Sequence, residues 1–324
     1  MRTTALSLIG GLMLFGCSAT GGSQFTGAGG TGAGGTDLTG AGSGSGQGGI
    51  NLAGSGSASG GAGCSDAAKL IYVLSQENDL YSFKPDLKQF KKIGPLQCQA
   101  NGATPNSMAI DRNAVAWVNY VQGGLGTDTA GYIFKVSTVD ASCQSTNIKL
   151  PPNWYRLGMG FASDVAGGMS ETLYIDGTSP TIGMANGPGL GKIDFAANTV
   201  VPIGNFGGAL TGQSCELTGT GDARLFGFFV FQGMPVQLAE LNKGTGQAMS
   251  PVSFGQITDV AAWAFSFWGG DFYFYTAPAD PFVTSTVTHY IPSTKTTDYS
   301  YMTNIGFRIV GAGVSTCAPT SPPK

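Results

Sequence analysis

Short runs of alternating apolar and polar residues recur along the chain between residues 69 and 317. Corresponding runs are about 45–57 residues apart, an interval typical of the blades of a β-propeller. The alternation, closed by Gly or Asn, indicates strands rather than helices. Each of four intervals begins with a short strand that ends in a polar turn, and the aspartates of these turns are Asp111, Asp164, Asp222 and Asp271.

Two further features follow the short strand in each interval. An aromatic-rich strand comes first, and it is predicted over 114–120, 171–177, 224–230 and 271–276. A hairpin comes next, with a turn rich in residues that tolerate positive φ. The hairpins are predicted over 132–142, 190–204, 236–252 and 287–302. We therefore predict four complete units of four strands.

A fifth unit is split between the two ends of the region. Three strands without a preceding inner strand are predicted over 69–76, 80–86 and 90–94, and a single strand over 307–317. The C-terminal strand can complete the N-terminal unit, which is how propellers remove open sheet edges. We predict an all-β fold, a β-propeller of five four-stranded blades. The alternative is a β-sandwich followed by a second, small β domain.

The folded region contains five cysteines, and none has the CxxC spacing of a metal site. Cys64 precedes the first strand and Cys317 follows the last, so closure of the ring brings the two together and predicts a disulfide. Cys98 and Cys143 lie in loops of neighbouring blades and form the next expected pair. Cys215 is left over, and we expect it to be a buried free thiol.

The first sixteen residues have the features of a lipoprotein signal peptide. Arg2 supplies the positive charge, and the apolar run over 5–15 is too short to span a bilayer. The run ends in Leu-Phe-Gly-Cys, which resembles the lipobox in which the cysteine is acylated and becomes the first residue of the mature protein. We predict that acyl chains on Cys17 anchor the protein in a lipid bilayer, at the outer membrane or the cell surface. The alternative is a plain secretory peptide with an incidental cysteine.

The segment that follows the lipobox cysteine is nearly all Gly, Ser, Ala and Thr. Such a composition buries too little apolar surface to offset the entropy of ordering a chain. We therefore predict a flexible tether over 17–63 with a root-mean-square reach of about 35–40 Å. The propeller domain then occupies residues 64–319, and residues 320–324 form a short tail.

Charged residues make up 11% of the chain, the net charge is −3, and there is no basic run. Nucleic acid is not an expected partner, because neutralising phosphates requires clustered Lys and Arg. The chain has a single histidine, His289. Its isolation argues against Ser-His-Asp, Cys-His and zinc chemistry. We predict a monomer without a cofactor, with calcium as the one alternative.

The four inner-strand aspartates, Asp111, Asp164, Asp222 and Asp271, are candidates for a site at the propeller axis. The first strands of the blades surround that axis, so their ends are expected to share one rim. Hard cations take several oxygen ligands, and a calcium site or a polar ligand pocket is one interpretation. The interpretation that we favour is that each aspartate caps the backbone of its own turn.

Two other candidates lie on predicted inner strands. Glu216 and Asp222 have the residue types of the acid–base pair of a glycoside hydrolase, although spacing in sequence does not fix their separation. Trp268 stands beside Gly269-Gly270. It is either an exposed platform for a sugar or protein or a residue buried between blades, and we favour burial. We assign no catalytic residue.

Three strings carry a resemblance to known proteins: ELTGTGDARLFGFF (216–229), AWAFSFWGGDFYFYT (262–276) and IVGAGVSTCAP (309–319). They resemble a family of bacterial β-propeller lipoproteins with Gly/Ser-rich tethers, over most of residues 64–319. The resemblance implies the fold and the anchoring, without an activity. A small residue is expected in such proteins at the place of Cys215, which supports its being unpaired.

These features predict a membrane-anchored lipoprotein that presents a propeller as a binding module for protein or glycan. One alternative is a hydrolase or lyase that acts on extracellular polysaccharide through carboxylates near the axis. The other is a structural component of the envelope. A deep pocket with clustered Glu216, Asp222 and Asp164 would favour the hydrolase, and exposed aromatic residues at a rim would favour binding.

The Cys17→Ser variant is expected to leave the membrane fraction, because acylation requires the thiol. Fractionation of cells followed by immunoblotting measures the distribution. The Cys215→Ser variant is the control and should stay with the membranes. Retention of Cys17→Ser in the membrane fraction would contradict the predicted anchor.

Overall fold

The computed structural model describes residues 64–124, 126–178, 185–231 and 234–322. The signal peptide, Cys17 and the tether lie outside these ranges. Within them, helix is confined to three single 3₁₀ turns. None of the described helices is long and apolar enough to span a bilayer.

Twenty strands form five antiparallel four-stranded sheets. The first eleven strands are β1 (Ile71–Ser75), β2 (Asp79–Lys84), β3 (Gln89–Pro95), β4 (Thr104–Ile110), β5 (Val115–Gln122), β6 (Ala130–Ser137), β7 (Cys143–Ser145), β8 (Leu157–Ser163), β9 (Glu171–Gly177), β10 (Gly189–Asp194) and β11 (Thr199–Gly204). The remaining nine are β12 (Cys215–Gly219), β13 (Leu225–Phe229), β14 (Val236–Leu241), β15 (Ala248–Phe254), β16 (Ala262–Trp268), β17 (Asp271–Ala277), β18 (Thr286–Ile291), β19 (Thr296–Met302) and β20 (Ile309–Val314).

The sheets are the five blades of a β-propeller. Blade 1 has the order β20-β1-β2-β3, and blades 2 to 5 follow as β4–β7, β8–β11, β12–β15 and β16–β19. The inner strand of each blade packs beside the inner strands of its neighbours. The prediction of five four-stranded blades is confirmed, and the sandwich alternative is wrong. The prediction depended on the repeat of four strands per unit and not on where each strand begins and ends.

The ring closes where β20 pairs antiparallel with β1, with Val73 opposite Ala312. The Cys64–Cys317 disulfide joins the chain just before β1 to the chain just after β20. The Ser315 hydroxyl donates a 2.6 Å hydrogen bond to the carbonyl of Ala68 beside this disulfide. The N-terminal blade is therefore completed by the C-terminal strand, as predicted. The second predicted pair, Cys98–Cys143, is also bonded, and Cys215 is a buried free thiol.

Apolar side chains fill the wedges between blades. The described core divides into five clusters, and each lies between two neighbouring blades. Aromatic rings dominate the wedge between blades 4 and 5, where Phe228 stacks on Phe274 with ring centroids 4.6 Å apart. Large flat side chains suit this position because the sheets diverge with distance from the axis.

The inner strands, by contrast, approach so closely that side chains must be small. A β-carbon on Gly158 of β8 would lie 1.9 Å from the carbonyl oxygen of Cys215 on β12. A β-carbon on Gly219 would lie 2.1 Å from the carbonyl oxygen of Phe161. Glycine at these positions therefore lets the backbones of β8 and β12 approach each other directly.

One predicted hairpin differs from the structure. The prediction placed both strands within 132–142, but the second strand, β7, begins only at Cys143. Residues 138–142 form the connecting turn, in which Asp140 accepts hydrogen bonds from the backbone N–H and the hydroxyl of Ser142. Ala141 adopts a positive φ of 60°. Turn capping by the aspartate shifts the outer strand along the chain and leaves it three residues long.

Loss of the Cys64–Cys317 bond is expected to destabilise the fold more than loss of Cys98–Cys143. The bonds span 253 and 45 residues, for which loop-closure entropy gives about 5.5 and about 4 kcal/mol. Guanidinium unfolding of the two double Cys→Ser variants measures both free energies of unfolding. A larger loss for the Cys98/Cys143 variant would contradict the dominance of ring closure.

Candidate functional site

The five inner strands run in one direction, so their first residues share one end of the propeller, the entry face, and their last residues share the other, the exit face. A pocket of about 130 Å³ opens on the axis at the entry face. All five blades contribute to its wall. The lining residues are Gln76, Pro105, Asn106, Arg156, Leu157, Gly158, Thr178, Ser214, Cys215, Glu216, Ala261, Ala262, Trp263 and Val310.

Arg156, directly before β8, organises one side of the pocket rim. Its guanidinium makes two hydrogen bonds to the carboxylate of Asp128, of 2.8 and 3.0 Å, and a third, of 2.8 Å, to Asn106 Oδ1. The Asn106 amide nitrogen in turn donates to the carbonyl of Leu157 and to the side-chain oxygen of Asn119. This network links blades 2 and 3, so the polar groups on this side have fixed positions.

Glu216 is the carboxyl among the described residues that line the pocket. It is buried, and its Oε2 accepts a 2.6 Å hydrogen bond from the hydroxyl of Ser107 on β4 of blade 2, which does not adjoin blade 4. Burial raises the pKa of Glu216 well above its usual value. The raised pKa favours the neutral acid, which can donate a hydrogen bond, over the carboxylate.

Asp176 of β9 lies fully buried behind this wall. Its Oδ2 accepts a 2.7 Å hydrogen bond from the backbone N–H of Cys215, while its Oδ1 has no protein partner. Burial raises the pKa of Asp176 well above its usual value. Burial and then the neighbouring carboxyls, Asp176 and Glu216, raise the pKa of the Cys215 thiol. The thiol is consequently a poor nucleophile.

Trp263 and Gln76 supply the more accessible part of the wall. Trp263, on β16, is half-buried, and Gln76, after β1, is exposed. An indole face beside amide, guanidinium and carboxylic acid groups suits a small polar ligand with an apolar edge. The pocket holds one half-exposed aromatic ring and several fixed hydrogen-bonding groups.

The structure does not bring the four predicted aspartates into one cluster. Asp111 caps its turn by accepting from the backbone N–H groups of Asn113 and Val115, and it accepts from the indole of Trp117. The other three bind a side chain of their own blade: Asp164 binds Thr172, Asp222 binds the hydroxyl of Thr220, and Asp271 binds His289. The described residues contain no group of three or more His, Cys, Asp or Glu that could hold a metal ion.

Glu216, of the candidate acid–base pair, lies near the start of β12, and Asp222 lies in the turn that follows the end of this strand. The extended chain from Glu216 to Thr220 advances by about 13 Å, so Glu216 lines the entry-face pocket and Asp222 lies in the exit-face turn. Two carboxyls that flank one glycosidic bond must be far closer. The two residues were paired as candidates because they are close in sequence. In the structure a strand runs between the two faces of the propeller, so residues at its start and beyond its end lie on opposite faces.

Trp268 is buried, and its indole N–H donates a 2.8 Å hydrogen bond to the carbonyl of Lys69 on blade 1. It packs between blades 5 and 1 and does not form an exposed platform. The aromatic residue of β16 that reaches a pocket is instead Trp263, at the start of the strand.

Three polar residues of this region were not singled out by the sequence analysis. Asp176 stands within the apolar run of 171–177, and a carboxyl in such a run signals a buried polar contact. Nothing in the sequence around Arg156 and Asn106 indicated a site, because the residues at the starts of the inner strands share no common pattern. Their role depends on blades 2 and 3 meeting.

No protein-family model and no curated protein matches the sequence. Similar solved structures include one from a study of two prolyl endopeptidases, at 13% identity over 76% of this chain and 35% of that chain, with a TM-score of 0.33. Kuenenia stuttgartiensis hydrazine synthase is similar at 11% identity over 75% of this chain and 68% of that chain, with a TM-score of 0.38. The Dos1 propeller is similar at 12% identity over 70% and 53%, also with a TM-score of 0.38. The chain thus spans about a third of the prolyl endopeptidase structure, and likenesses this distant say nothing of its activity.

The free energy of unfolding is expected to fall as pH rises from about 4.3, the unfolded pKa of Glu. Because its pKa is raised, folded Glu216 keeps a proton that the unfolded chain releases. The Glu216→Gln variant cannot titrate, so its stability should fall less steeply between pH 5 and 7. Urea unfolding at several pH values measures the slopes, and Glu240→Gln, on the partly exposed ion pair with Arg224, is the control. Equal slopes for Glu216→Gln and the unmodified protein would contradict the prediction.

Proposed function

We propose that this protein is a lipid-anchored protein of the outer membrane or cell surface whose propeller binds a glycan or protein ligand through the axial pocket. The observation that carries the proposal is the arrangement of the attachment point and the pocket along the propeller axis. Cys64, where the predicted tether joins the domain, is bonded to Cys317 at the exit face. The pocket opens at the entry face, so the attachment point and the pocket are at opposite ends of the axis.

The two disulfides support export of the domain from the cytoplasm. Disulfides persist in oxidising compartments and are rare where thiols are kept reduced. Cys64–Cys317 and Cys98–Cys143 each fasten the folded domain. Export agrees with the signal peptide and lipobox cysteine predicted over residues 1–17, since lipidation takes place outside the cytoplasm.

The pocket chemistry supports binding rather than hydrolysis. Glu216 is the carboxyl that lines the described part of the pocket, and its raised pKa favours the neutral form, which can donate a hydrogen bond. Glycoside hydrolysis by the usual mechanism needs a second carboxyl across the scissile bond. Trp263 and the fixed polar rim around Arg156 supply shape and hydrogen bonds without such a partner.

The binding experiment uses a protein of residues 64–324, a segment that contains the twenty described strands and both disulfides. The purified domain is applied to a glycan array and used in pull-down from envelope extracts, with and without calcium. The Trp263→Ala variant is expected to bind the captured ligand about tenfold or more weakly, because truncation of a central aromatic residue in a binding site costs about 2 kcal/mol or more. Circular dichroism checks that the variant is folded.

The Phe282→Ala variant is the matched control. Phe282 is 92% exposed in the loop between β17 and β18, and it does not line the pocket. Capture should be unchanged in this variant. Absence of any captured glycan or protein, or equal capture by Trp263→Ala and the unmodified domain, would refute the proposal.

A further inference from the structure

A second cavity, the lateral cleft, lies between blades 2 and 3. It measures about 390 Å³ and is separate from the axial pocket. Its walls come from β5, β6, β7, the chain after β7 and the turn between β10 and β11. The lining residues are Trp117, Lys135, Gln144, Ser145, Thr146, Asn147, Ile148, Phe195 and Asn198.

The cleft exists because the outer strand of blade 2 is short. Strand β7 has three residues, whereas β3, β11, β15 and β19 have six or seven. After β7 the chain crosses to blade 3, where Lys149 bridges to Thr199. The Cys98–Cys143 disulfide fixes the start of β7, and the Thr146 hydroxyl donates a 2.6 Å hydrogen bond to the carbonyl of Ile133. The cleft is therefore a fixed feature of the fold, because the disulfide holds the start of β7 and the Thr146 hydrogen bond holds the chain after it.

Two aromatic rings form one wall of the lateral cleft. The ring centroids of Trp117 and Phe195 are 4.9 Å apart, with the planes tilted by 47°. Trp117 is nearly buried and anchored by its indole N–H on Asp111. Phe195 is 42% exposed in the turn after β10, although such a ring is costly to leave in water. It presents an apolar face to whatever occupies the cleft.

A positive charge lies beside these rings. The ammonium group of Lys135 is 4.5 Å from the centre of the Trp117 ring, and the attraction of the cation to the ring face holds it there. No Asp or Glu is among the described residues that line the cleft. Within the described ranges, Lys135 forms no ion pair. An anion in the cleft would therefore meet the ammonium of a half-buried lysine that has no ion-pair partner among the described residues.

Three side-chain amides complete the rim. Gln144, Asn147 and Asn198 each offer both donors and an acceptor, and their amide groups make no hydrogen bond to another described side chain or backbone group. Asn198 is held by its left-handed backbone, with φ of 54°, in the turn that also carries Phe195. Amides of this kind match vicinal hydroxyls, each of which is both donor and acceptor.

We propose that the lateral cleft binds an acidic saccharide of the uronic acid type. The C–H face of the sugar ring packs on Phe195, its hydroxyls bond the amides of Gln144, Asn147 and Asn198, and its carboxylate pairs with Lys135. A peptide would use the aromatic wall equally well, but the density of amides and the single cation favour a polyhydroxylated anion. The proposal goes beyond the axial pocket and does not require it.

Isothermal titration calorimetry of residues 64–324 tests the proposal. The probes are the trimers of galacturonate, mannuronate and guluronate, with neutral galactotriose, mannotriose and gulotriose for comparison. At least one acidic trimer should bind about tenfold or more tightly than its neutral counterpart, a preference that added salt should reduce. Failure of all three acidic trimers to bind, or equal affinity for acidic and neutral trimers, would overturn the proposal.

Variants assign the binding to the cleft. Lys135→Gln should lower the affinity for the acidic trimer about tenfold, to that of the neutral one, while Lys135→Arg should keep most of the preference. Phe195→Ala should weaken acidic and neutral trimers alike, and Phe282→Ala should change neither. Binding that survives Lys135→Gln, or that is lost in Trp263→Ala instead, would place the sugar elsewhere and refute the proposal. The axial-pocket function could still hold in that case.

Discussion

The pairing of β20 with β1 joins residues from the two ends of the folded chain, and every other feature of the domain relies on it. Without that pairing, blade 1 would have three strands and an open inner edge, and blades 5 and 1 would lose the wedge in which Trp268 packs. An open edge exposes unpaired backbone groups to water and to other chains. The Cys64–Cys317 disulfide, which spans 253 residues, restricts the unfolded chain at the same junction.

Closure also sets how the propeller can carry a site. A ring of five blades has a narrow axis, and glycine at Gly158 and Gly219 lets neighbouring inner strands approach until backbone meets backbone. A small pocket opens where the inner strands begin. Burial beside it raises the pKa of both Glu216 and Asp176, which favours the neutral acids over the carboxylates.

The lateral cleft lies where the blade repeat departs from its regular form. Strand β7, which follows the capped turn around Asp140, is only three residues long, and the lateral cleft with Phe195 and Lys135 lies beside it. Where the repeat is regular, the same positions are filled by packing between blades. A repeated core supplies a rigid frame, and irregular outer strands and loops supply surfaces on which ligand groups can be arranged without disturbing it.

The sequence by itself determined the number of blades, the split first blade, the two disulfide pairs and the free thiol of Cys215, because strand alternation and chain ends are local or topological properties. It also predicted that all four inner-strand aspartates cap the backbone of their turns, which Asp111 does, whereas the described hydrogen bonds of Asp164, Asp222 and Asp271 are to side chains. Only the tertiary structure decided that Glu216 and Asp222 lie on opposite faces, that Trp268 is buried while Trp263 lines a pocket, and that Arg156 meets Asp128 and Asn106. These facts depend on which blade packs beside which and on strand direction, and no short-range pattern of residues encodes such contacts between segments far apart in the chain.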